Sequence, residues 1–245
     1  MLNGLYSAGS AMDAAARRHE VISQNLANAQ MPGYRRQTVM HNSRESQFSD
    51  ELRDAVQFEM SGVDSGSLTT DFTPGVMEQT GHPLDMAIQG DGFFVVEGPS
   101  GPLFTRNGTF QIDSEGRLVT ADQLPVQGQS GEISVPPNIP VTSLRVGRDG
   151  AIYANATEIG KLQIVSFSDP QKLQTAGSTL YSSPEEMPPE DINGIVLQNM
   201  RERSNVSPIH ELVELIAAQR QQEAAQRSMT AINESVGKNI NVQGR

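Results

Sequence analysis

The chain has no cysteine and no tryptophan. Without thiols it has neither disulfides nor thiolate metal sites, and the redox state of its surroundings is immaterial to it. Aromatic residues make up only 5% and apolar residues 36% of the 245 positions. One dense core running through the whole chain is therefore not expected, although the length suffices for one large domain or two modest ones. Basic residues are scarce as well: 18 Lys and Arg face 29 Asp and Glu, a formal net charge of −11, with no dense basic stretch. Such a surface makes nucleic acid and anionic membranes poor partners. The longest strongly apolar run, 93–96, is far below the ~20 residues of a bilayer-spanning helix, so the chain is not expected to insert in a membrane. Asn3, Gly4, Ser7, Gly9, Ser10 and Asp13 interrupt the beginning of the chain, where a cleaved leader would place a basic segment and an apolar block. Export by an ordinary cleaved signal peptide is not expected.

What is present at the two ends is helical pattern. Leu5, Ala8, Met12, Ala15, His19, Ile22, Leu26 and Ala29 recur at alternating steps of three and four. That spacing draws one narrow seam, the mark of a helix that pairs with another. Pro32 and Gly33 end it. At the far end Ser207 suits an N-cap and Pro208 the first helical position, and Ile209, Leu212, Val213 and Ile216 open an apolar stripe. Ala225, Met229, Ile232, Val236 and Ile240 continue it beyond a glutamine-rich interval at 219–226. The two helices are expected to pair as a coiled coil. Each is marginal alone, so both termini are expected to be largely disordered in the free monomer and helical once neighbouring copies add apolar surface.

The middle reads as short strands at 84–88, 93–97, 103–106, 109–113, 117–120, 132–135, 144–146, 151–154 and 161–167, punctuated by Gly, Pro, Asn and Asp. This predicts an antiparallel β domain and an α+β chain overall. The segments 110–120 and 144–154 each place an acid-glycine turn between apolar runs and predict two similar hairpins. Leu84, Ile88, Phe93, Phe94, Phe104 and Phe110 are the expected core, with Gly90, Gly92, Gly108 and Gly116 as turn glycines. The expected plan is an N-terminal helix and signature over 1–40, an extended connector over 41–75, and a β-rich domain over 76–181. A second connector over 182–206 and a C-terminal helix over 207–245 complete it.

Catalytic patterns find no support. His19, His41, His82 and His210 are scattered, with no HExxH arrangement or second ligand at metal spacing. Gly90-Asp91-Gly92 begins like a dinucleotide loop, but Val95 stands where the third glycine belongs and a strand follows instead of the helix that would hold phosphates. Gly128-Gln129-Ser130-Gly131 is one residue short of a nucleophile elbow. No enzyme activity, cofactor, metal or small-molecule substrate is expected. A periplasmic module that binds a ligand in its β domain is the rival class, and it requires a stable monomer with ordered ends.

Three blocks carry a resemblance. ISQNLANAQMPGYRRQ at 22–37 resembles the N-terminal signature of the rod and hook family of the bacterial flagellar basal body, with Met31-Pro32 where a Thr or Ser is usual. TGHPLDMAIQGDGFFVV at 80–96, LFTRNGTFQIDSEGRLVT at 103–120 and PVQGQSGEISVP at 125–136 are similar, in order and spacing, to the β domain of its rod subunits. SNVSPIHELVELIAAQR at 204–220 resembles its C-terminal signature, with Gln221 in place of the usual aromatic.

The length, the GHPLDMAI wording and the TRNG turn resemble the proximal-rod branch of the family most closely, with the distal-rod branch second. The resemblance implies a structural subunit of the flagellar rod in the periplasmic space, part of the drive shaft between motor and hook. It also implies export through the flagellar type III apparatus, and copies of itself and other rod proteins as partners. Leu5, Met12, Ile22, Leu26, Leu212, Ile216, Met229, Ile232 and Val236 would pack the helical layer. Asn25 and Asn28 would hydrogen-bond backbone near the helix end.

Overall fold

An alanine-rich stretch with few β-branched residues and a proline-capped stretch near the far end each have the means to form a long helix. The computed structural model describes the backbone of residues 2–40 and 67–243, and the side chains of 9–40 and 67–231. In it, helix α1 spans Leu2–Ala27 and helix α2 spans Pro208–Gln243. Most of the first expected connector, 41–66, lies outside the described residues, as do the side chains of Leu5, Ile232 and Val236. No described helix is long and apolar enough to cross a membrane.

The chain divides into two units. The helical unit takes Met1–Ala27, Gln37–Asp71 and Ser207–Arg245; the β unit takes Asn28–Arg36 and Phe72–Val206. In the helical unit α1 and α2 are in contact, and strands Gln37–Met40 and Ser67–Thr70 form an antiparallel ribbon with Gln37 opposite Thr70. Both ends are helical in the structure. Each helix supplies part of the apolar surface the other lacks.

The β unit is built on a six-stranded antiparallel sheet. Its order is Gln174–Thr175, Leu180–Ser182, Gly101–Thr105, Phe93–Gly98, Ile164–Ser166, Glu190–Asp191. Strand Phe93–Gly98 is covered on both faces, which explains its unbroken apolar run. Phe94 and Val96 point into a core with Phe110, Leu118, Val126, Ile133 and Leu162. Phe93 and Val95 point into a second core with Phe104, Val165, Phe167 and Tyr181. Two further hairpins repeat one turn chemistry: Gln111–Ile112 pairs with Leu118–Val119, and Leu144–Val146 pairs with Ala151–Ala154. Gly116 and Gly150 both sit at φ +83°, where a Cβ would be strained.

The α+β class read from the sequence is the class observed. The stretch 182–206, expected as a connector, is different. Strand Ile195–Gln198 pairs with Met86–Gln89, and Met200–Glu202 pairs with Met77–Gln79, so the β unit runs to Val206. Val196 and Met187 of this stretch are buried, which a polar, proline-rich composition conceals.

Candidate assembly surface

The end of α1 is fastened by an asparagine. The Asn25 side chain is buried; its Nδ2 donates to the Gln37 carbonyl at 2.8 Å, and its Oδ1 accepts from the Gln37 N–H at 2.9 Å. The same Nδ2 lies 3.3 Å from Oε2 of Glu211, a fully buried carboxylate in the first turn of α2. Glu211 is well placed there, since a helix N-terminus favours negative charge. One turn further on, Glu214 pairs with Arg18 of α1. Asn28 accepts a hydrogen bond from Met31 N–H at 2.9 Å through its carbonyl, closing the turn after the helix.

These bonds decide which face of α2 turns to α1. The covered positions are Glu211, Leu215, Ala218, Gln222, Ala225 and Met229, a 4-3-4-3-4 spacing of buried or partly buried residues. On α1, Ala15 and Ile22 are buried and Met12 and Leu26 partly so. Ile209, Leu212, Val213 and Ile216 lie on another face and are exposed, at 77%, 46%, 60% and 52%. Among the described residues of α2, its most apolar stripe is therefore left exposed. Four large apolar side chains at i, i+3, i+4 and i+7 form one continuous strip.

In the β unit, Leu84, Ile88, Phe93, Phe94, Phe104 and Phe110 are all buried. Gly90 at φ +92° and Gly92 at φ +124° turn the chain into strand Phe93–Gly98. Gly108 has no positive φ; a Cβ there would strike the Met86 carbonyl oxygen, so the need is for close approach rather than a turn.

A second polar cluster was not singled out from the sequence. Glu202 is buried, and its Oε1 accepts from Arg35 Nη2 at 2.7 Å and from the Gly75 N–H at 2.8 Å. Arg106, also buried, lies 3.6 Å from Glu202 Oε2, donates to the Gly90 carbonyl at 2.8 Å and stands over the Phe93 ring. Burial and the neighbouring Arg35 lower the Arg106 pKa while Glu202 and Asp91 oppose them, leaving it at about 10. Among the described residues no group of three potential metal ligands converges.

Paired end helices with a bare apolar stripe, and polar side chains spent on fastening backbone, define a structural subunit rather than a catalyst. Comparison with known proteins gives the family. "Flagella basal body rod protein" matches residues 5–35, "Flagellar hook protein FlgE/F/G D1 domain" 87–154, and "Flagellar basal body rod FlgEFG protein C-terminal" 197–241. FlgF of Caulobacter vibrioides is 32% identical over 234 aligned positions, covering 94% of this chain and 93% of that protein. FlgG of Buchnera aphidicola from Schizaphis graminum is 29% identical over 262, covering 97% and 98%. FlgF of Salmonella typhimurium is 29% identical over 254, covering 97% of each. The chain belongs to the flagellar basal-body rod protein family, a structural and non-enzymatic one.

Proposed function

We propose that this chain is a subunit of the proximal rod, delivered by the flagellar export apparatus and polymerising through its terminal helices with copies of itself and with other rod proteins. In that role it forms part of the shaft that carries torque from motor to hook. The observation that carries the reading is the bare stripe of Ile209, Leu212, Val213 and Ile216. Burying a side chain of this size stabilises an assembly by roughly 1.5 to 3 kcal/mol, so a neighbour that covers the stripe gains several such contributions. The proximal placement rests on the likeness of the GHPLDMAI segment and the TRNG turn to that branch, relatives of both branches being similar at about 30% identity.

The absence of native cysteine makes the test direct. With Leu212→Cys as the one thiol in the chain, a thiol-to-amine cross-linker applied to purified basal bodies is expected to join it to rod subunits, including those at the motor-side end. Adducts confined to hook-side parts would move the chain to the distal rod. No adduct to any other subunit would overturn the assembly role of the stripe.

A further inference from the structure

We infer that the buried cluster of Arg35, Glu202 and Arg106 is a coupling joint, by which the β unit grips every length of chain that passes between it and the helical unit. The chain passes from one unit to the other after residues 27, 36, 71 and 206. Within the β unit, the segments flanking these passages are bonded to one another. Arg35 Nη1 donates to the Thr73 carbonyl at 2.6 Å while Nη2 holds Glu202, so one guanidinium fork spans two of the segments. The Gly33 N–H donates to the Glu202 carbonyl at 2.8 Å, and the Arg36 N–H to Asn205 Oδ1 at 2.8 Å. Asn205 Nδ2 in turn reaches the Thr73 carbonyl at 3.2 Å. Ala29, Tyr34 and Val206 form a small buried cluster of their own.

Backbone packing at the joint leaves no room for side chains. A Cβ on Gly33 would collide with the backbone of Arg106 and Asn107, and one on Gly75 with the Arg203 carbonyl. Apolar contact alone would hold these segments but would let them slide. A buried ion pair joined by a charge-assisted hydrogen bond resists sliding, because any slip strands a charge in the interior. Two cations share one carboxylate here, and Arg35 Nε, Arg106 Nε and Glu202 Oε2 have no hydrogen-bond partner. Glu202 is therefore the carboxylate on which both guanidinium groups rely for contact. On the rod reading, load carried along the chain from one unit to the other passes these four crossings; the joint itself follows from the bonds and does not need that reading.

Amide hydrogen exchange of the full chain, wild type against Glu202→Gln, tests the joint. The variant removes the one carboxylate that the two buried guanidinium groups share. Protection at 29–36, 73–76 and 202–206 is expected to fall together by about a hundredfold, as for breaking a buried pair, while 93–96 and 104–105 hold theirs. Arg35→Lys, which keeps the charge and loses the fork, is the milder variant if Glu202→Gln does not fold. It is expected to loosen the same three segments by a smaller factor. Loss confined to the immediate neighbours of the substituted residue, or spread evenly over the β unit, would overturn the inference. Because this readout uses monomeric protein, it fails or succeeds independently of the assembly role.

Discussion

Asn25 treats the peptide group of Gln37 as a strand partner would, offering it one donor and one acceptor. No smaller side chain offers a separate donor and acceptor atom held in one plane, as the amide does. Asn25→Ala leaves the N–H and carbonyl of a buried residue without those bonds, and is expected to cost about 1 to 3 kcal/mol in urea unfolding of the full chain. A loss below about 0.5 kcal/mol, the range of an ordinary surface substitution, would contradict the role given to it. The bonding capacity of this residue was legible because an asparagine near a helix end prefers backbone partners. Arg35, Arg106 and Glu202 were not legible. An arginine or glutamate in a polar segment reads as surface, and the Arg35–Glu202 pair spans 167 positions. Only the fold brings those charges together.

Among the elements, the 110–120 and 144–154 hairpins were readable from turn chemistry, since an acid followed by glycine specifies the turn locally. The first hairpin also gains a pH dependence. Asp113 Oδ1 accepts from the N–H groups of Glu115 and Arg117 at 2.9 and 2.8 Å, and Oδ2 accepts from Arg117 Nε at 2.9 Å. Burial raises its pKa, but the hydrogen bonds from Arg117 and Glu115 and the charge of Arg117 outweigh that, and the carboxyl lies below its ordinary 3.8. A carboxyl lowered on folding stabilises fully above its unfolded pKa and loses that contribution as pH falls through the folded value. Thermal unfolding between about pH 5 and pH 2 is therefore expected to depend less on pH in Asp113→Asn than in wild type. An identical decline in both would refute the assignment.

The strands at 190–202 show the opposite limit of legibility. They are two to four residues long and mostly exposed or half-exposed, and their pairing partners, not their own pattern, make them strands.

For the whole molecule, the sequence pattern at the two ends specified helices that pair, and the structure has them in contact. The pattern did not tell which stripe serves the chain itself. Polar bonds settled that: Asn25 with Glu211 and Arg18 with Glu214 turn a polar, small-residue seam of α2 inward. The aliphatic stripe Ile209, Leu212, Val213 and Ile216 is left outward, and we propose that other subunits cover it. Leu212→Glu with Ile216→Glu puts charge on that stripe without harming helix propensity. The decisive measurement is the amount of this double variant in basal bodies purified from cells lacking the wild-type chain, with its helix content and unfolding midpoint measured alongside. A folded variant near wild type in both, yet missing from the rod, is the expected result; incorporation at the wild-type level would contradict the account.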